Sequence, residues 1–233
     1  MNLTAQTTII WDWNGTLLND LDICLESINE MLEYRGMQSL SREAYCEVFT
    51  FPVIDYYRQV GFDFDKEEWQ TVAMDFMNRY FGKLTRSNLF PEAQAVLEFF
   101  GQCGYRQVIL SAMEQDALTA SVIERGIGRY FQQIVGIDNH YAAGKSGNGR
   151  AMFIDHALSG DNTWFIGDTL HDADIARELG CRCLLIANGH QDKKRLEQAG
   201  VPVLTSLTEL KSFFTGPAFP AHLRVSDRSK QIW

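Results

Sequence analysis

Beyond Pro91 the chain alternates helix-period segments with short apolar runs, and this alternation constrains its fold more than any other feature. A segment over 91–102 leads to Gln107-Val-Ile-Leu110, and one over 115–125 leads to Gln133-Ile-Val-Gly136. Segments over 147–158 and 171–179 lead to Trp164-Phe-Ile166 and Cys183-Leu-Leu-Ile186, and a run near Val203 precedes a last helix over 206–214. Short runs that are apolar throughout read as strands covered on both faces, the pattern of a parallel sheet. Crossovers between parallel strands are right-handed, so the expected fold is α/β, a doubly wound, Rossmann-like parallel sheet. Thr8-Ile-Ile-Trp-Asp12 supplies the first strand, with Asn14-Gly15 as the loop at its C-terminal end.

Between that strand and Pro91 the pattern is helical throughout. Leu21, Leu25, Ile28 and Leu32 recur at helical spacing, and Gly36 stops the segment. Ser41 is placed to cap a second helix, and Val53 to Val60 suggests a third. Asp65 and Glu68 have the spacing of a capping box ahead of Trp69, Val72, Phe76 and Tyr80 on one face, and Ser206 with Glu209 repeats that spacing. The expected organisation is an α/β core over 1–18 and 86–215, a helical-bundle cap over 19–85, and a C-terminal tail over 216–233. Such an insert stands over the C-terminal edge of the sheet, where open α/β sheets bind ligands.

Charge and cysteine usage exclude several partners. A net charge of -9 argues against a nucleic-acid backbone, which needs a basic face. An anionic small substrate then requires a metal or local cations to offset the acidic background. The five cysteines, scattered and odd in number, read as reduced thiols, with Cys181 and Cys183 in the core. No basic patch precedes an apolar run at the N-terminus, and no stretch approaches the ~20 apolar residues that span a bilayer. The expectation is a cytoplasmic protein with no membrane or nucleic-acid partner, its oligomeric state left open.

Polar residues at the ends of the apolar runs carry the chemistry. Asp12, Ser111 and Asp168 each follow a run, and Lys145 begins a helix. Parallel strand ends share one rim, so these four residues should converge. Two neighbouring carboxylates stay ionised only with a cation between them, and an all-oxygen site suits Mg²⁺. A serine hydroxyl and a lysine ammonium on the same rim would hold phosphoryl oxygens. Each residue alone also has an ordinary reading; Asp168, for instance, could cap the helix that follows.

Asp12-Trp-Asn-Gly-Thr-Leu17 resembles the first motif of the haloacid dehalogenase-like (HAD) hydrolase superfamily, Asp-x-Asp-Gly-Thr-Leu/Val. Leu110-Ser111 resembles its second motif, Lys145 its third, and Gly167-Asp168-Thr169-Leu-His-Asp172 its fourth. The order, the spacing and the insert are similar to those of the small-helical-cap subclass, phosphoglycolate phosphatase among them, over residues 8 to about 214. The resemblance implies a hydrolase of a small phosphorylated metabolite, with Asp12 as nucleophile and metal ligand. It implies Mg²⁺ held by Asp12, the carbonyl of Asn14 and Asp168, with Asp172 acting through water or orienting Lys145. Ser111, the Ala112 amide and Lys145 would hold the phosphoryl group, and Thr16 would brace the loop beside it.

At position 14 the chain departs from the family pattern, where an aspartate serves as general acid and then base. An amide can do neither, although its backbone carbonyl still serves as a ligand. Several outcomes stay open: a leaving group that needs no acid, a proton from His171 or the cap, or a phospho-ligand-binding relative with little or no turnover. Carbon–halogen hydrolysis would not need the retained Asp168 and Asp172. Carbon–phosphorus hydrolysis would want a cap lysine, for which Lys66 and Lys83 are the candidates. Of the remaining histidines, His140 and His190 lie in loops that could reach the rim, His156 reads as packed, and His222 carries no signal.

Overall fold

The computed structural model describes residues 6–138, 145–155 and 158–217. His140, His156, His222 and the tail beyond Pro217 lie outside the described residues. In chain order the elements are β1 (Thr8–Trp11), β2 (Leu18–Asn19), α1 (Leu21–Tyr34), α2 (Arg42–Val48), α3 (Val53–Gln59), α4 (Trp69–Lys83) and β3 (Asn88–Leu89). There follow α5 (Ala93–Gln102), β4 (Arg106–Glu114), α6 (Gln115–Glu124), β5 (Gln133–Ile137), α7 (Lys145–Asp155) and β6 (Thr163–Gly167). The chain continues through α8 (Leu170–Glu178), β7 (Arg182–Ile186), α9 (Lys193–Leu196), β8 (Val203–Leu204) and α10 (Glu209–Thr215).

Six strands form one sheet in the order β5-β4-β1-β6-β7-β8, every pairing parallel. The chain winds outward from β1 in both directions, so the fold is the doubly wound α/β sheet that the alternation implied. Thr8, Ile9, Ile10 and Trp11 are all buried, because helices cover both sides of the central strand. Ile10, Val108 and Phe165 enter the cluster on one face of the sheet, and Ile9, Ile109 and Ile166 enter that on the other. Reversal of strand order at β1 opens a crevice beyond its C-terminal end, and Asp12 is the first residue there.

The helical insert leaves and returns through a narrow stem. Leu18 pairs antiparallel with Leu89, and Asn19 with Asn88. Helices α1 to α4 lie between, and their buried residues Ile28, Met31, Tyr45 and Val72 join the same hydrophobic cluster as Trp11 and Ile109 of the sheet. Gly36 ends the first helix as expected, at φ 68, where a side chain would be strained. Ser41 accepts from the Ala44 N–H at 3.2 Å, the expected cap.

Several local expectations are corrected. Asp65 and Glu68 form no capping box; α4 starts at Trp69 with Glu68 making no side-chain cap bond, and the Asp65 N–H turns to Asp63 at 3.1 Å. The last helix begins at Glu209 rather than 206, because Glu209 accepts from the Thr205 N–H at 2.9 Å and ties down the turn before it. β4 does not stop at Leu110 but runs to Glu114 through a register shift. Gly136 on the neighbouring strand permits this, since a Cβ there would lie 2.7 Å from the Met113 carbonyl oxygen.

Candidate active site

The floor of the crevice is built from strand ends and helix starts. The Asp12 N–H donates to the Ile166 carbonyl at 2.8 Å, which carries the β1–β6 pairing one residue beyond the strand. Asp168 follows β6, and Thr169 caps α8 in a reciprocal box with Asp172. The capping role open to Asp168 thus falls to Thr169, which leaves the Asp168 carboxylate for other work. Carboxylate oxygens of Asp12, Asp168 and Asp172 lie within 4.8 Å of one another, all buried. Lys145, at the start of α7, donates to Asp12 and, at 2.7 Å, to Asp172. The Thr16 hydroxyl sits 3.0 Å from Asp168 and 3.4 Å from Asp12, bridging the two.

Two glycines set the position of Asp168. A Cβ on Gly15 would lie 2.2 Å from Asp168 Oδ2, and one on Gly189 would lie 2.1 Å from it. Gly15 also takes φ 73, which disfavours any side chain there. The His190 N–H reaches the same oxygen at 2.6 Å, so a loop after β7 helps to hold it.

Two of the three carboxylates, Asp12 and Asp172, share Lys145, and their protonation reflects it. Burial pushes Asp12 well above the usual carboxylate range, with Lys145 pulling the other way and Asp172 and Asp168 adding to the rise. Burial likewise raises Asp168. For Asp172 burial works upward, but the Lys145 ammonium overrides it and holds the acid low. Both Asp172 oxygens are engaged, one by Lys145 and the other by Thr169 and the Asp168 N–H. Asp12 and Asp168 are engaged as well, Asp12 by Lys145 and Thr16 and Asp168 by Thr16 and the His190 N–H, so the three carboxylates form one braced cluster in which Asp172 orients Lys145. Such a set of hard, buried oxygens with excess negative charge fits a divalent cation of the Mg²⁺ type.

Beside this floor lies a second polar group that the sequence did not reveal. Asp20, at the N-terminus of α1, makes no cap bond with its side chain. Instead it accepts from the Gly15 N–H at 2.9 Å, the Asn14 amide at 2.7 Å and the Tyr80 hydroxyl at 2.9 Å. His190 Nε2 lies 3.3 Å from Asp20, and His190 Nδ1 lies 3.0 Å from the Tyr45 hydroxyl. Burial works to lower His190, but Asp20 and then Asp168 raise it to about 9. Asp20 in turn is held low by His190, Asn14 and Tyr80 against the effect of burial. The one sequence signal was Asn188-Gly189, a turn placing His190 at the rim; an aspartate just ahead of a helix carried none.

Above the floor is a cavity of about 150 Å³, roofed by the insert. Its walls are aromatic: Phe49, Phe51, Tyr57, Trp69, Phe76 and Tyr80 contribute, with Val53, Ala73 and Met77 between them. Tyr56 also lines it; its hydroxyl is buried and without a hydrogen-bond partner among the described residues. An unsatisfied buried hydroxyl costs ~1–3 kcal/mol, so this wall carries polar capacity that a ligand could use. All six lysines and arginines of residues 19–85 are paired with carboxylates away from the cavity.

Comparison with known proteins now decides the family. Residues 9–186 match the model of the haloacid dehalogenase-like hydrolase family. The chain belongs to that family. A haloacid dehalogenase-like hydrolase from Streptococcus pneumoniae is 20% identical, with 91% of this chain covering 100% of that one at a TM-score of 0.77. A predicted phosphoglycolate phosphatase from Haemophilus somnus is 17% identical, covering 91% and 99% at a TM-score of 0.71. A HAD family hydrolase from Deinococcus radiodurans, solved with phosphate and sodium, is 17% identical, covering 89% and 94% at a TM-score of 0.68. At these identities the likeness shows the shared fold. No curated protein sequence matches the chain.

Of the residues expected from the haloacid dehalogenase-like motifs, the structure brings Asp12, Asn14, Ala112, Lys145, Asp168 and Asp172 to the cavity. Thr16 and Ser111 lie just behind it and are fully buried. The Thr16 hydroxyl faces the carboxylates, and the Ser111 hydroxyl accepts from the Met113 N–H at 3.0 Å, within the irregular stretch of β4. His171 stacks on Phe51 at 4.6 Å and is not among the lining residues. Lys66 pairs with Asp63 and Lys83 with Glu30, so neither lysine faces the cavity.

Proposed function

We propose that the chain is a Mg²⁺-dependent phosphomonoesterase of a small phosphorylated metabolite, acting in the cytoplasm through an aspartyl phosphate on Asp12. The observation that carries this reading is the convergence of Asp12, Asp168, Asp172 and Lys145 at the floor of a partly open, mainly apolar cavity. Asp12, the Asn14 carbonyl and Asp168 would hold the metal, with Asp172 keeping Lys145 in place. When bound, the ion would neutralise charge shared between the attacking carboxylate and the phosphoryl oxygens.

The chain's own groups supply positioning. Thr16 fixes the relative orientation of Asp12 and Asp168, so one Asp12 oxygen can face the phosphorus while the carboxylate stays braced. Lys145 and the Ala112 region of β4 would take the phosphoryl oxygens. The division of the chain into a core and a cap over 19–85 follows from the same reading, the insert excluding water above the reacting group.

Phosphate release measured with Mg²⁺ against a panel of phosphate monoesters tests the proposal. Release should fall to background in Asp12→Asn and on chelation, and release that persists in Asp12→Asn refutes the nucleophile. A second reading, a phospho-ligand-binding protein with little turnover, draws on the Asn14 amide being fully engaged by Asp20 and Tyr80. Tight binding of phosphate esters with no release from any of them would favour it.

A further inference from the structure

Resting on the phosphatase reading, we propose that this site takes an apolar aryl phosphate, a phosphate ester of a single-ring phenol, rather than the ester of a charged or polar alcohol. Three independent features of the cavity converge on that class.

Size and surface come first. The volume of about 150 Å³ includes the space over Asp12 and Lys145, so beside a phosphoryl group it leaves room for a leaving group no larger than a single ring. Phe49, Phe51, Trp69 and Phe76 line it, the aromatic surroundings that aromatic ligands prefer.

Charge comes second. Arg35, Arg42, Arg58, Lys66, Arg79 and Lys83 are all committed to carboxylates outside the cavity, and no lining residue from the insert beyond Asp20 is a charged side chain. A leaving group bearing a carboxylate would meet Asp20 and aromatic rings, and the His190 ring beside them is already paired with Asp20 at 3.3 Å.

Proton supply comes third. The Asn14 amide cannot give up a proton, and both of its hydrogen-bonded neighbours, Asp20 and Tyr80, are tied to each other. Both ring nitrogens of His190 are engaged, by Tyr45 and Asp20. Burial holds the free Tyr56 hydroxyl well above the usual phenol range. An alkoxide is a poor leaving group without an acid, whereas a phenolate, of conjugate pKa ~10, departs unaided. In the first step a bond forms from an Asp12 oxygen to phosphorus as the phosphorus–aryl oxygen bond breaks. The aryl oxygen leaves with the electron pair and takes its proton from water. A second water then cleaves the aspartyl phosphate, returning the carboxylate and inorganic phosphate.

The test is kcat/KM of the full chain with Mg²⁺ for phenyl phosphate, benzyl phosphate and phosphoglycolate, together with a series of ring-substituted phenyl phosphates. Phenyl phosphate should exceed both others by ~10²-fold or more, and log kcat/KM should fall steeply as the phenol pKa rises. Preference for phosphoglycolate, or a flat dependence on phenol pKa, overturns the proposal while leaving the phosphatase reading intact. Absence of release from every ester overturns both. In Met77→Arg, which adds a cation to the wall, the ratio should shift toward phosphoglycolate by about tenfold; no shift, with the variant folded by thermal melt, also counts against it. The steep dependence should persist in Tyr56→Phe. A steeper one would assign the proton to Tyr56 and overturn the argument.

Discussion

Replacing Lys145 by methionine preserves side-chain volume and removes the ammonium that Asp12 and Asp172 share. Lys145 is 3% exposed, and its partners' side chains are 9% and 2% exposed, so solvent screens the pair little. Removing one member of a buried ion pair costs about 3–5 kcal/mol, because the remaining charge is left uncompensated. At about 2–4 °C per kcal/mol for a chain of this size, Tm should fall by ~6–20 °C near pH 7.5 in EDTA. The sign of the pH dependence follows from the orphaned acids. Their folded pKa values rise above the unfolded value of ~3.9, so the folded variant is favoured below that value and loses the advantage as pH rises through the raised one. The Tm gap between the native chain and Lys145→Met should therefore narrow from pH 7.5 to pH 5. Added Mg²⁺ should stabilise the variant more than the native protein, since the ion restores positive charge to the same carboxylates. Calorimetric melts at both pH values, with and without Mg²⁺, provide the measurement. A gap below about 2 °C, or one that does not change with pH, would refute the charge-sharing account.

In Gly15→Ala the new Cβ falls 2.2 Å from Asp168 Oδ2 at φ 73; stability should drop by at least ~1–2 kcal/mol and Mg²⁺ affinity, followed by calorimetric titration, should weaken. Asn14→Asp places a carboxylate 2.7 Å from Asp20, so denaturant melts should show a loss of ~1–3 kcal/mol at pH 7.5 that shrinks at pH 5, and Asp20→Asn in the same chain should recover part of it. Arg35→Ala removes a fork to Glu67 at 2.7 and 2.9 Å and a contact 5.0 Å over the Phe62 ring; with Glu67 39% exposed, the expected loss by urea melt is about 1 kcal/mol.

The sheet was legible because β1, β4, β6 and β7 are buried on both faces, and burial writes itself into the sequence as unbroken apolar runs. Asp12, Lys145 and Asp168 were legible for a related reason, since parallel strands and their crossovers bring distant residues to one edge by topology alone. β4 was read too short because Ser111 and Glu114 interrupt the run, although the backbone continues through its register shift opposite Gly136. Asp20 and His190 stayed hidden for a different reason. Their pairing depends on how α1 of the insert meets the loop after β7, a tertiary contact across 170 residues. The cavity's aromatic walls were likewise unreadable, since Phe76 and Trp69 have the same spacing whether they fill a bundle or line a site.

The contact between Asn14 and Asp20 also limits the routes by which this sequence can change. Acquiring aspartate at position 14 first would set two anions against each other, while losing Asp20 first would strip His190 of its countercharge. Each single substitution is thus a step downhill in stability, and only the pair together leads to another stable arrangement. The amide at position 14 is held in place by its neighbour as firmly as by any chemistry it performs, and the two residues should be inherited as a unit.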